Sequence, residues 1–165
     1  MAPVEFSLLM REALNEAFVG FAEGEVPVGA VVATPEGRIV ARAHNQPIAL
    51  NDPTAHAEIL ALRRAGAVCG NYRIEGSTLV VTVEPCVMCM GAAFHARISR
   101  IVFGAFDPKW GAAGSLYNLP ADPRLNHRIE LVAGILGAEC LKVMQDFFRS
   151  RRGKNKDSGE VPKWS

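Results

Sequence analysis

Four residues of this 165-residue chain suggest a chemistry by their types and spacing: His56, Glu58, Cys86 and Cys89. Cys86 and Cys89 stand three apart in Glu84-Pro85-Cys86-Val87-Met88-Cys89, so on a helix their thiols point the same way and can share one ion. His56 and Glu58 belong to Pro53-Thr54-Ala55-His56-Ala57-Glu58. Both segments read as helix starts, where free N–H groups and the helix dipole favour a thiolate. Two thiolates and an imidazole suit zinc better than magnesium or calcium. Three protein ligands leave the fourth tetrahedral position open, the catalytic rather than the structural arrangement. Water held at that position is acidified to a pKa of about 7. At the first turn of its helix, Glu58 is placed to move a proton between such water and a substrate.

Each half says less alone. A lone Cys-x-x-Cys after a strand also fits a redox pair or half of a structural zinc knuckle. A lone histidine can simply pack, and a first-turn glutamate is favoured by the helix dipole. The other conventional ligands are Cys69, Cys140, His44, His95 and His127, and none stands at a compact ligand spacing. Cys69 and Cys140 read as buried packing thiols. Met88 and Met90 read as helix packing or as part of a subunit interface.

The elements that must position these residues follow from periodicity and punctuation. Phe6, Met10, Ala13, Ala17 and Phe21 mark one face of a helix over 4–22, with Gly24 as its stop. Residues 28–33 read as a buried strand, and 38–43 return as its hairpin partner through Pro35-Glu36-Gly37. The stretch 45–53 reads as irregular. Asp52-Pro53 then signals a helix running to about Ala65 and ended by Gly66. A β-branched strand over 78–83 leads into a helix over 85–97. A strand over 100–106, a glycine-containing loop over 107–114, a short strand over 129–132 and a helix over 137–151 complete the order. This is the pattern of a three-layer α/β/α domain around a mixed five-stranded sheet.

Composition sets the outer limits. With 49% hydrophobic residues and a net charge of +1, the chain is not disordered over most of its length. No apolar run reaches the roughly 20 residues of a membrane span. The first residues lack the basic head and apolar stretch of a signal peptide, so a cytoplasmic protein with reduced cysteines is expected. The charge is uneven. From Arg149 onward six basic residues face two acidic ones, so a +4 end is joined to a −3 body. A catalytic domain over 1–152 with a polar basic C-terminal tail over 153–165 is expected, and the basic end suits a polyanionic partner.

The pairing of His56-x-Glu58 with Pro85-Cys86-x-x-Cys89 resembles the signature of the zinc-dependent nucleoside and nucleobase deaminases. Further segments resemble the bacterial tRNA-specific adenosine deaminases in particular: Phe103-Gly104-Ala105, Gly111-Ala112-Ala113-Gly114-Ser115, Asn126-His127-Arg128 and Asp146-Phe147-Phe148-Arg149. The similarity runs from about Glu5 to Arg152. It implies a cytidine-deaminase-like fold and hydrolytic deamination of adenosine to inosine at the wobble position (34) of a tRNA anticodon. By position it implies zinc, one ion per subunit, on His56, Cys86 and Cys89, with Glu58 as the catalytic proton shuttle. Asn45 would hydrogen-bond the flipped base, and Asp107 would line the pocket near the ribose. The resemblance further implies an arginine tRNA as substrate and a homodimer with each site near the subunit interface.

The chain departs from that family at Phe106, where an arginine is often found, and at Trp110, usually a smaller residue. Trp110 can stack on a splayed base or cover a loop edge. Phe148, Arg149, Arg151 and Arg152 are candidate tRNA contacts, although cations also suit a helix C-terminus. Three other readings stay open. A deaminase of a free base or nucleoside such as guanine shares the metal signature. A redox protein would use Cys86 and Cys89 alone, and a zinc-stabilised RNA-binding module would do no chemistry.

Overall fold

The computed structural model describes residues 3–158. β1 (Gly29–Ala33), β2 (Ile39–His44), β3 (Thr78–Val83), β4 (Arg100–Ala105) and β5 (Glu130–Ala133) form one sheet in the order β2-β1-β3-β4-β5. β1 runs antiparallel to β2 and β3, whereas β3, β4 and β5 are parallel. The sheet is therefore mixed and five-stranded. The parallel connections are crossovers: the helix Val87–His95 joins β3 to β4, whereas a long loop with a single 3-10 turn at Leu119–Ala121 joins β4 to β5.

The alternation of side chains along each strand sorts the core into two layers. Val31, Val80 and Val102 point to one face, where they pack with Phe6, Met10 and Ala13 of α1 (Pro3–Ala22) and Cys140 and Val143 of α5 (Gly137–Ser158). Val32, Leu79, Val81, Ile101 and Phe103 point to the other. There they meet Leu60, Ala61 and Ala65 of α3 (Ala57–Cys69) and Met90 and Ala93 of α4 (Val87–His95). Every residue of β1 and β3 is buried, as expected for central strands covered on both faces. Two glycines permit the close packing. A Cβ at Gly29 would overlap the Ala13 carbonyl of α1, and one at Gly104 would overlap the Cys140 sulfur of α5.

Several boundaries differ from those read in the sequence. Residues 45–53 are not wholly irregular, because Pro47–Leu50 forms the one-turn helix α2. The buried Glu25 carboxylate accepts the Ile48 and Ala49 N–H groups at its start, at 3.3 and 2.8 Å. Asp52-Pro53 does not open α3. Asp52 Oδ1 instead accepts the Thr54 N–H and hydroxyl, closing a turn, and the helix begins at Ala57. Gly66 does not end it either. The chain folds back so that the Asn71 N–H bonds the Gly66 carbonyl, and Gly70, with φ of +64°, is the left-handed stop. α4 is shorter than 85–97, with Cys86 at its N-cap position and Arg97, at φ of +59°, just beyond its end. α5 continues past Arg151 to Ser158, so the first part of the expected tail is helical. Residues 159–165 lie outside the described residues. Among the described residues no helix is long and apolar enough to cross a membrane.

Candidate metal and substrate site

His56 and Cys86 occupy the N-cap positions of α3 and α4, both with extended backbone. Neither side chain caps its own helix, because both turn toward each other across the gap between the two helix starts. His56 Nδ1 lies 3.7 Å from Cys86 Sγ and 3.5 Å from Cys89 Sγ. All three donor atoms fall within 4.8 Å of one another. Zinc bonds of about 2.3 Å to sulfur and 2.0–2.1 Å to nitrogen, at a tetrahedral angle, place sulfur and nitrogen about 3.6 Å apart. The donor triangle has the size that a zinc ion requires, and its soft set of two sulfurs and one nitrogen suits that ion.

Among the described residues no fourth protein ligand joins the triangle. The ring of His44 sits between Glu16 at 2.9 Å and Glu23 at 2.8 Å. His127 Nε2 donates to the Ile98 carbonyl at 2.7 Å, and His95 is exposed. Cys140 is buried against β4, where desolvation pushes its thiol up to about 12. Cys69, expected to be buried, is exposed, because α3 extends to it and presents it at its final turn.

The electrostatics follow from burial and proximity. Cys86 is pushed down to about 4, first by the hydrogen bond from the Cys89 thiol and then by His56. Cys89, as that donor and itself buried, is shifted upward. His56 is raised, chiefly by Cys86 beside it. Glu58, in the first turn of α3 and only 3% exposed, is raised to about 7 by desolvation. Its burial rules out a solvated surface glutamate.

His56, Glu58 and Cys86 line a cavity of about 520 Å³, together with Asn45, Asp107 and Trp110. Asn45 is buried and its Oδ1 accepts the Ala57 N–H at 2.8 Å, capping α3 in place of His56. Asp107 Oδ1 accepts the N–H groups of Lys109 and Trp110 at 3.0 and 3.2 Å, so it also shapes its own turn. Trp110 is 69% exposed at the cavity mouth. Phe106 is also exposed and rests edge-on against Phe103, with ring centroids 5.2 Å apart.

Phe148, Arg149, Arg151 and Arg152 come together in a second groove, of about 850 Å³, between α5 and the 107–110 turn. Asp107 and Met144 line both spaces, so the groove and the cavity adjoin across these two residues. Its three arginines are not equivalent. Arg149 pairs with Asp146 at 3.4 Å, whereas Arg151 donates to the Gly24 carbonyl and lies over the Phe147 ring at 5.1 Å. Arg152 has no ion pair among the described residues. Lys109, not singled out in the sequence, adds a further basic residue to this groove.

Glu84 is the most informative residue that motif reading passes over. It is 3% exposed, and every hydrogen bond to its carboxylate comes from the loop opposite. The N–H groups of Ala113 and Ser115 donate to Oε1 at 3.0 and 2.9 Å. The Asp107 N–H at 3.0 Å and the Ser115 hydroxyl donate to Oε2. The available signal was an acidic residue directly after an all-buried strand, a position that burial normally denies to an unpartnered carboxylate.

A mixed sheet that carries a triangle of two cysteines and one histidine at two facing helix starts, above a buried glutamate, defines a zinc-binding deaminase domain. Residues 5–105 match the cytidine and deoxycytidylate deaminase zinc-binding region. Curated relatives place the chain more narrowly. A tRNA-specific adenosine deaminase of Bacillus subtilis is 47% identical over 149 residues, covering 90% of this chain and 92% of that protein. One of Haemophilus influenzae is 47% identical over 148 residues, covering 90% and 86%. A solved structure from studies of A-to-I editing by tRNA:A34 deaminases at the wobble position is 41% identical. It covers 82% of this chain and 97% of its own, with a TM-score of 0.79. The chain belongs to the tRNA-specific adenosine deaminase family.

Proposed function

We propose that this protein hydrolyses adenosine to inosine at the wobble position (34) of a tRNA anticodon. The observation that carries the reading is that the metal-ligand cavity and the basic groove of α5 adjoin, with Asp107 and Met144 in the walls of both. A free base or nucleoside needs only the cavity. An anticodon loop presents one extruded base and a run of phosphates, and it needs both.

In this reading His56, Cys86 and Cys89 hold one zinc per subunit. When bound there, zinc supplies Lewis-acid activation of the attacking water. Glu58 takes a proton from that water and delivers it to N1 of the adenine as oxygen adds at C6. It then delivers the second proton to the exocyclic nitrogen, which leaves as ammonia while C6 becomes the carbonyl of inosine. Burial keeps bulk water from competing with Glu58 for these protons. Asn45 positions the base through its amide N–H2, since its oxygen is committed to α3. Asp107 borders the ribose. Trp110 and Phe148 offer exposed ring faces to flanking bases, and Arg149, Arg151 and Arg152 take phosphates. The substrate is an arginine tRNA, and the enzyme works as a homodimer in the cytoplasm, where its thiols stay reduced.

The test is incubation of the purified protein with an anticodon stem-loop carrying A34. The expected result is inosine at that position, one equivalent of ammonia and about one zinc per chain. Glu58→Ala should retain zinc and lose turnover by about 10²–10⁴-fold. Ammonia from guanine with none from the stem-loop would transfer the activity to a free-base deaminase. Zinc with no ammonia from either would leave an RNA-binding module.

A further inference from the structure

Glu84 has no task in the deamination chemistry, although it is as buried as Glu58 and lies two residues before Cys86. Its surroundings are those of a latch. Its own N–H donates to the Ala105 carbonyl at 2.8 Å, fixing the backbone at the ends of β3 and β4. Its carboxylate then gathers three N–H groups and one hydroxyl from the single loop 107–115. A Cβ on Gly111 would overlap that carboxylate, so the loop can wrap it only with glycine there. The neighbouring backbone reinforces the seam: the Ala112 N–H donates to the Pro85 carbonyl at 2.8 Å, and Cys86 bridges Gly111. Among the described residues no lysine, arginine or histidine pairs with Glu84. The converging backbone N–H groups are what compensate a buried carboxylate.

We infer that Glu84 is a positioning residue that locks the 107–115 loop, and with it Asp107 and Trp110, in register with the Cys86 turn. The consequence rests on the function proposed above. One short segment, Glu84-Pro85-Cys86, sets both the metal ligand and the wall against which the RNA lies. Asp107 and Trp110 stand at the cavity mouth, away from the reacting atoms. Loosening their loop therefore weakens ground state and transition state alike, which raises KM and spares kcat.

Glu84→Gln tests this, because an amide offers one acceptor oxygen and turns an N–H2 toward N–H donors. In a Trp164→Phe background Trp110 is the sole tryptophan and reports on the loop. The Gln variant should keep one zinc per chain, raise KM for an A34 stem-loop about tenfold with kcat within about twofold, and lower the Trp110 fluorescence anisotropy. Wild-type KM and anisotropy in the zinc-loaded variant would overturn the inference. So would a loss confined to kcat or to zinc, which would place Glu84's effect on the Cys86 turn instead. If Glu84→Gln does not fold, Ser115→Ala decides. It removes only the hydroxyl donor and should raise KM about threefold with a fall in anisotropy, whereas no change in either overturns the latch. A wild-type protein inactive on the stem-loop would refute the proposed substrate, and the anisotropy of the same variants would still decide the role of Glu84.

Discussion

The Ala57 N–H donates to Asn45 Oδ1 at 2.8 Å, so a residue that lines the cavity also caps the helix presenting His56 and Glu58. The two roles use different atoms of one amide, and substitutions can separate them. Asn45→Asp keeps the acceptor and should hold the melting temperature near wild type while turnover falls. Asn45→Ala should lose the cap as well, at about 1–2 kcal/mol of stability. Thermal denaturation beside turnover on an A34 stem-loop checks both. An Asp variant with full activity would remove the Asn45 amide from substrate recognition.

Burying Glu58 has a stability consequence in the metal-free protein. Folding raises its pKa from 4.5 to about 7 by desolvation, so the folded state favours the protonated acid. That contribution is fully present below the unfolded value and is lost as pH rises through about 7. Gln mimics the protonated form. With metal removed, Glu58→Gln should be more stable than wild type at about pH 8, by up to about 3 kcal/mol, with the gap closing by about pH 4.5. Denaturant melts of the chelated proteins at the two pH values test this, and a pH-independent difference would refute it.

The donor triangle ties the start of α3 to the start of α4, two helices that pack side by side on one face of the sheet. Zinc binding should therefore add to folding stability. Free zinc a hundredfold above its Kd contributes about 2.7 kcal/mol, and the melting temperature should track zinc concentration. His56→Ala should abolish that dependence. A melting temperature indifferent to both zinc and chelator would mean that the triangle holds no ion.

The parts of this fold that are legible in the sequence are those set by local pattern. The β-branched run 78–83 could only be an interior strand, and the spacing of Phe6, Met10 and Ala13 marked the face of α1 that the sheet covers. The metal ligands were legible because their chemistry requires fixed residue types. What escaped depends on partners distant in sequence. The start of α3 is set by Asn45, twelve positions before Ala57, and not by the nearer Asp52-Pro53. The helix runs past Gly66, whose carbonyl accepts the Asn71 N–H, and stops only at the left-handed Gly70. Glu84 acquires meaning only when residues 107–115 fold across it.

The four cysteines should divide by environment. Cys69 is exposed and should alkylate readily, whereas Cys140 is buried, with its thiol pushed up to about 12, and should stay inert in the native state. With zinc bound, Cys86 and Cys89 should be protected, so one label per chain is expected, rising to two on chelation as the half-buried Cys86 thiolate reacts while the buried Cys89, its thiol shifted upward, does not. Mass spectrometry after iodoacetamide gives the count. Label on Cys140 before unfolding would contradict the packing of α5 on β4.

The arginines of α5 should separate in the same way. Arg152 has no ion pair among the described residues, so Arg152→Ala should flatten the slope of log K against log salt by about 0.7 for one lost phosphate contact on single-stranded RNA, with the melting temperature unchanged. Arg151 bonds the Gly24 carbonyl and covers Phe147, tying α5 to the turn that follows α1. Arg151→Ala should therefore lower stability by about 1 kcal/mol besides any effect on RNA. Arg149 is partly neutralised by Asp146, so Asp146→Asn should strengthen stem-loop binding at low salt while Arg149→Ala weakens it. Binding isotherms across a salt series, with melts of the same proteins, separate these outcomes. Slopes unchanged from wild type in all three arginine variants would assign the basic end of α5 to packing and solubility and would move the phosphate contacts elsewhere on the cavity rim.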